Sequence, residues 1–91
     1  MNTPLLDDKF SIYPNPSKGN IVISVAGFTG FENVRISISD LTGKLVYQET
    51  KLANELGQLT NTLMLEAKLR AGLYFITVKG SVNQVRSLVI E

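Results

Sequence analysis

The sequence predicts an all-β fold, an immunoglobulin-like antiparallel β-sandwich of about seven strands. Short runs rich in β-branched and aromatic residues recur along the chain and are separated by turn-forming residues, as in sandwiches and barrels. In residues 34–39, apolar and polar side chains alternate strictly, so that one face of the run packs inward and the other meets water. Glycine and asparagine interrupt these runs before an amphipathic helix could form several turns.

Residues 10–91 are predicted to form a single domain, because a chain of 91 residues can enclose only one core. Residues 1–9 lack periodicity and are interpreted as a linker or an artificial chain end. Leu52–Leu59 is predicted to hold one helical turn or a long loop. The predicted strands are Phe10–Tyr13, Asn20–Ala26, Val34–Asp40, Lys44–Lys51, Thr62–Glu66, Leu73–Lys79 and Gln84–Ile90.

Periodicity within these runs also predicts the core. The residues on the expected inner faces are Ile21, Ile23, Ile36, Ile38, Leu63, Leu65, Tyr74, Ile76 and Val78. The last run is ambiguous, because residues 85, 87 and 89 share one face and residues 86, 88 and 90 share the other, with apolar residues on both. A β-bulge or burial on both faces would resolve this ambiguity. Between the third and fourth runs, Asp40 to Gly43 predicts a hairpin, since Gly43 can adopt the positive φ of a tight turn.

The composition argues against catalysis. The chain has no His and no Cys, so it lacks the usual general base, the strongest nucleophile and any disulfide or cysteine-bound zinc. Its carboxylates are scattered through turns and strand ends rather than paired. We therefore expect no enzymatic activity, no cofactor and no metal. The formal net charge of +1 gives no field that would recruit nucleic acid.

Two aromatic residues stand in a predicted loop. Phe28 and Phe31 flank Thr29 and Gly30, and if exposed they could make a weak contact with a glycan or a protein. Alternatively, one or both cover the end of the core, as large apolar groups usually do. With Tyr47, they are the basis for an alternative function, a carbohydrate-binding or adhesion module. An inert fibronectin-like spacer is a further alternative.

Three motifs, in order and spacing, resemble a known family. Tyr13-Pro14-Asn15-Pro16 is followed closely by Gly19, Asp40-Leu-Thr-Gly43-Lys forms a turn, and Leu-x-x-Gly72-x-Tyr74 precedes a strand. A short terminal strand, Val85 to Glu91, ends the chain. Together they resemble the type A C-terminal sorting domains of the type IX secretion system, and the resemblance covers residues 10–91.

This resemblance implies an exported protein. A fused cargo, N-terminal to the domain, would cross the inner membrane by its own signal peptide and pass through the periplasm. The domain would then engage the type IX translocon, and a cysteine sortase would cleave upstream of it. The cargo would be attached to surface lipopolysaccharide or released outside the cell. In this reading the domain is a substrate of the sortase.

The resemblance also suggests which residues matter. Tyr13 to Pro16 and Gly72 to Tyr74 are expected to specify the fold, while the machinery engages residues 86–91. The prolines are expected to hold an extended segment and to prevent strand pairing there. Family members commonly end in a basic strand, whereas this chain has only Arg86 and ends in Glu91. The predicted motif and recognition residues are Tyr13, Pro14, Asn15, Pro16, Gly19, Asp40, Gly43, Gly72, Tyr74, Arg86, Leu88, Val89, Ile90 and Glu91.

Overall fold

The computed structural model describes residues 10–65 and 68–91 of the chain. These residues form an antiparallel β-sandwich, and none of the described segments is a helix that could span a membrane. The strands are β1 (Phe10–Tyr13), β2 (Asn20–Val25), β3 (Asn33–Asp40), β4 (Leu45–Leu52), β5 (Leu59–Met64), β6 (Gly72–Lys79) and β7 (Asn83–Ile90).

The strands form two sheets, one with the order β1-β2-β5 and one with the order β4-β3-β6-β7. All named pairs are antiparallel. The predicted all-β sandwich is therefore confirmed, and so is the hairpin at Asp40 to Gly43, which joins β3 to β4. The core lies between the two sheets, and every residue predicted to be in the core is buried.

β5 is present but starts earlier than predicted. It begins at Leu59 rather than at Thr62, and it ends at Met64. The predicted end, Glu66, lies outside the described residues. Pairing with β2 sets the observed start, since Leu59 is opposite Val25 and both are buried. Because the residues that follow Leu59 are polar, the sequence pattern does not indicate that the strand begins there.

The segment between β4 and β5 is a loop and not a helical turn. Its backbone closes on the side chain of Asn54, whose Oδ1 accepts hydrogen bonds from the N–H groups of Leu56 and Gln58, both at 2.9 Å. Gly57 adopts a φ of 76°, and a side chain there would collide with the carbonyl of Phe28. The loop therefore packs directly against the segment that follows β2.

Phe28 is buried, which corrects the suggestion that it is available to a glycan or a protein partner. Its ring packs against Gly80, where an added Cβ would come within 2.9 Å of the ring's Cδ1 atom. Phe28 thus covers one end of the core, the alternative that the sequence left open. Phe31, by contrast, is 64% exposed. Tyr47 is partly buried against the core, so the proposed aromatic platform is reduced to a single ring.

The last strand buries one face only. Its register with β6 is continuous from Gly72 opposite Ile90 to Lys79 opposite Asn83. Neither of the two expected solutions, a bulge or burial on both faces, is present in β7. Leu88 and Ile90 are buried in the core, whereas Val85 and Val89 are exposed.

We expect Ile36→Ala to reduce the free energy of unfolding by roughly 2–5 kcal/mol, because Ile36 is fully buried and its truncation leaves a cavity. The measurement is chemical denaturation followed by circular dichroism. Val85→Ala, an aliphatic truncation on the outer face, is the control and should change stability by only about 0.5 kcal/mol. Equal losses in both variants would contradict the assigned inner and outer faces.

Candidate functional site

The segment after β1 is fastened to the last strand by the side chain of Asn15. Its Nδ2–H donates to the carbonyl of Ser87 at 3.0 Å, and its Oδ1 accepts from the N–H of Val89 at 3.0 Å. The side-chain amide therefore supplies the donor and acceptor that a neighbouring strand would supply to this edge of β7. We call this contact, together with the Ser17 contacts described next, the clasp.

Ser17 extends the clasp with backbone hydrogen bonds. Its N–H donates to the carbonyl of Val89 at 2.9 Å, and its carbonyl accepts from the N–H of Glu91 at 2.7 Å. The Ser17 side chain is buried, and its hydroxyl donates to the carbonyl of Asn20 and accepts from the N–H of Gly19. Ser17 is not among the residues predicted from the sequence. Its position between Pro16 and a nearby glycine is the signal that could have indicated a serine turn.

β1 ends at Tyr13, directly before Pro14, but residues 14–16 form bends rather than the predicted extended segment. The peptide bonds that precede Pro14 and Pro16 are both cis. The expectation that this segment does not pair needs correction, however. A proline has no N–H to donate, but Asn15 lies between the two and reaches β7 with its side chain instead.

Arg86 lies on the inner face of β7 and is partly buried. Its guanidinium carbon is 5.4 Å from the centroid of the Phe10 ring, a cation–π contact across the two sheets. Its Nη1–H also donates to the carbonyl of Val85 at 3.2 Å. Arg86 therefore supports the packing of β1 against β7, and its reversal to Glu would perturb stability as well as charge.

The predicted recognition residues of the terminal strand lie on two opposite faces of β7. Leu88 and Ile90 belong to the core, so a partner cannot reach their side chains while the domain is folded. Val89 and Glu91 point outward. At the end of this strand, a partner of the folded domain would therefore contact the side chains of Val89 and Glu91 rather than those of Leu88 and Ile90.

Four outward side chains of β6 and β7 form an apolar cluster. Leu73 stands directly opposite Val89, Phe75 is the next outward residue of β6, and Val85, which is opposite Thr77, lies diagonal to Phe75 on the same face. Their side chains are 39%, 38%, 37% and 53% exposed, in that order. We call these four residues the outer apolar patch. Such a cluster marks an interaction surface more often than isolated exposed apolar residues do.

The Asp40 motif is a side-chain-stabilised turn. The Oδ1 of Asp40 accepts from the N–H and the hydroxyl of Thr42, at 2.9 and 2.6 Å, and from the N–H of Lys44 at 3.0 Å. The hydrogen bond from the Thr42 hydroxyl is the main cause that lowers the pKa of Asp40 below its ordinary value of 3.8. Gly43 closes the turn with a φ of 89°.

The third motif fixes the start of β6. The hydroxyl of Tyr74, a buried residue, donates to the carbonyl of Arg70 at 2.7 Å. This is the geometry of a tyrosine corner, in which a tyrosine ties a strand to the backbone a few residues upstream. Gly72, between them, has a φ of 155°, which residues with side chains rarely adopt. Both residues therefore act on the fold.

A cavity of about 400 Å³ opens beside the clasp. The residues that line it are Pro14, Pro16, Ser17, Lys18, Asn20 and Glu91. It brings the first motif and the last residue of the chain to a common surface. In the part of the chain that the structure describes, no group of three or more acidic residues converges as a metal site would require.

The sequence of the chain matches a known protein family. The profile of the secretion system C-terminal sorting domain matches residues 11–91. The chain belongs to this family. The sorting domain is a signal of the type IX secretion system, through which the protein that carries it is secreted across the outer membrane. No curated protein matches the chain.

In this sorting domain, we expect Asn15→Ala to lower the free energy of unfolding by about 1–3 kcal/mol, because it removes two hydrogen bonds from the edge of β7. Chemical denaturation measures the loss. Hydrogen exchange at the amide of Val89 should accelerate, because its acceptor is removed.

Two variants control for the clasp. Asn83→Ala, which truncates an exposed asparagine elsewhere on β7, should leave both measurements unchanged. Asn15→Asp keeps the acceptor for Val89 but removes the donor to Ser87, so protection of the Val89 amide should persist. Unchanged exchange at Val89 in Asn15→Ala would show that the clasp does not hold in solution.

Acid should destabilise the domain through two turn carboxylates. The pKa of Glu32 is lowered mainly by the hydroxyl of Ser81, and the pKa of Asp40 is lowered mainly by that of Thr42. Because both folded-state values are depressed, their contribution is present above the unfolded pKa values, near 4, and is lost as the pH falls through the folded values. We expect the melting temperature to fall over this window and to fall less in Asp40→Asn. An equal fall in this variant would argue against the Asp40 turn as a cause.

Proposed function

We propose that the secretion machinery recognises the sorting domain in its folded state, through the outer apolar patch and the adjoining exposed edge of the clasp. The observation that carries the proposal is the division of the terminal strand. Its inward residues Leu88 and Ile90 complete the core, whereas its outward residues Val85 and Val89 are exposed to a partner. In this proposal, the inner face of β7 stabilises the fold and its outer face contacts the secretion machinery.

The clasp supports this proposal because it holds the patch in one geometry. The N–H of Val89, a patch residue, donates to Oδ1 of Asn15, and the carbonyl of Val89 accepts from the N–H of Ser17. Opposite it, Leu73 lies at the start of β6, next to the bend at Gly72. A preorganised apolar surface binds with a smaller loss of conformational entropy than a mobile one.

In the proposed sequence of events, a cargo fused upstream crosses the inner membrane by its own signal peptide and transits the periplasm. The domain then engages the translocon, and a cysteine sortase cleaves upstream of residue 10. The cargo is attached at the cell surface or released. The domain acts as an address and as a substrate, and performs no catalysis itself, in keeping with a sequence without His or Cys.

The alternative of a carbohydrate-binding module loses its main support. It required an exposed platform of aromatic rings, but Phe28 caps the core and Tyr47 is partly buried. Of the three rings proposed for that platform, only Phe31 is exposed. The outer apolar patch has only one aromatic member, Phe75, beside aliphatic side chains, which suits a protein surface better than a sugar.

We expect the double variant Phe75→Thr/Val89→Thr to lose surface display of a fused fluorescent cargo and to accumulate it in the periplasm. Both substitutions keep a β-branched or polar residue suited to an exposed strand position, so melting should stay close to that of the native domain. Display is measured by flow cytometry in a host with an active type IX system. Melting is measured on the purified domain.

Val82→Thr is the matched control, because Val82 is as exposed as Val89 but lies in the loop between β6 and β7. It should display normally. Deleting Leu88 to Glu91 also removes core residues, so its effect alone does not distinguish recognition from unfolding. Normal display of the folded double variant would refute recognition through the patch.

A further inference from the structure

A row of four polar side chains crosses the outer face of the larger sheet, at the end remote from the clasp. Arg35 on β3 stands directly opposite Thr50 on β4 and, on its other side, opposite Lys79 on β6. Lys79 in turn stands opposite Asn83 on β7. The row therefore takes one residue from each strand of the sheet, and all four side chains are exposed on the same face.

These residues line a shallow cavity of about 380 Å³. Asn33 and Gly80 complete its lining. Gly80 contributes backbone without a side chain, and Asn33 adds a second amide beside Arg35. The lining therefore contains two cations and several neutral groups that can donate hydrogen bonds, but no carboxylate.

The arrangement of the two cations is unfavourable for the empty domain. Directly opposed residues of an antiparallel pair have Cβ atoms about 4.5–5.5 Å apart, and like charges in such positions repel. Within residues 10–65 and 68–91, neither the guanidinium of Arg35 nor the ammonium of Lys79 forms a hydrogen bond or an ion pair. An anion placed between them would relieve the repulsion.

The carboxylate of Glu32 does not provide that relief. It lies beside Gly80, but it accepts hydrogen bonds from the N–H of Thr29 and from both the N–H and the hydroxyl of Ser81. These contacts tie the loop before β3 to the hairpin between β6 and β7. A Cβ added to Gly80 would meet both a carboxylate oxygen of Glu32 and the ring of Phe28, which is buried. The Glu32 carboxylate therefore lies on the inner side of Gly80, whereas the side chain of Lys79 points outward.

We propose that this cavity, which we call the basic row site, binds the dianionic phosphate group of a phosphomonoester. The charge of the site indicates the class of ligand. A phosphomonoester carries a charge of about −1.5 to −2 near neutral pH and so balances both cations, whereas a carboxylate balances only one of them. Arginine matches phosphate with two parallel N–H donors, and lysine supplies a point charge. Thr50 and Asn83 lie at the two ends of the row, where they flank the two cations with neutral polar groups.

The site is separate from the proposed recognition surface. The outer apolar patch occupies residues 73–75 and 85–89 of the same sheet face, while the basic row lies at residues 79 and 83, at the opposite end of the β6–β7 pair. Phosphate binding therefore does not depend on the patch, and the two proposals can fail independently.

The test is a titration of the purified domain with inorganic phosphate at constant ionic strength, followed by amide chemical shifts. We expect saturable shifts confined to the amides around residues 35, 50, 79, 80 and 83, and weaker binding of acetate, a monoanion. Arg35→Gln and Lys79→Gln should each weaken binding about tenfold, since each removes one charge-assisted contact. Arg70→Gln and Lys18→Gln remove the same charges far from the row and should bind as the native domain does.

Thermal melting gives an independent readout. Phosphate should raise the melting temperature of the native domain, because it binds the folded state only. Without phosphate, Lys79→Gln should melt at or above the native temperature, since it removes a like-charge repulsion. The phosphate-dependent rise should be absent in this variant and retained in Lys18→Gln.

Vesicles distinguish the source of the phosphate. Binding to phosphatidylcholine vesicles that contain phosphatidic acid, and not to phosphatidylcholine alone, would assign the site to a lipid phosphate. Binding of inorganic phosphate without vesicle binding would assign it to a soluble phosphomonoester. Linear, unsaturable shifts spread over all exposed lysines, or equal losses in Arg35→Gln and Arg70→Gln, would overturn the proposal.

Discussion

The structure depends on the hydrogen bonds by which residues 15–17 hold the edge of the last strand. An edge strand presents unpaired N–H and C=O groups that invite pairing with other chains. Here the amide of Asn15 and the backbone of Ser17 occupy those groups over the second half of β7. The clasp joins the beginning of the domain to its end, and it also keeps the outward residues of β7 available as a surface.

The three motifs of this chain each stabilise the backbone with a side-chain hydrogen bond. Asn15 replaces a missing strand, Asp40 closes a hairpin with its carboxylate, and Tyr74 ties β6 to the preceding segment with its hydroxyl. Each places a polar side chain on backbone groups that no strand partner reaches. In this chain the motifs therefore stabilise the fold, and we propose that the secretion machinery binds the surface that this fold presents.

Much of the fold could be predicted because strand periodicity is a local property. Strict alternation at residues 34–39 and 74–78 predicted the inner face of β3 and β6 correctly. Prediction failed where the register depends on a partner strand. The start of β5 at Leu59 follows from pairing with Val25, a contact between residues remote in sequence. The inward face of β7 is a similar case, because apolar side chains occur on both of its faces.

The sequence by itself determined the fold class, the turn at Asp40 and the family, because turn chemistry, alternation and motif spacing are readable along the chain. Only the tertiary structure decided what those motifs contact. Asn15 and Val89 are far apart in sequence, and no local preference of either residue reveals that a side-chain amide replaces a strand. The alignment of Arg35 with Lys79 likewise arises from the order of strands in a sheet, which is set by packing of the two layers rather than by any segment alone.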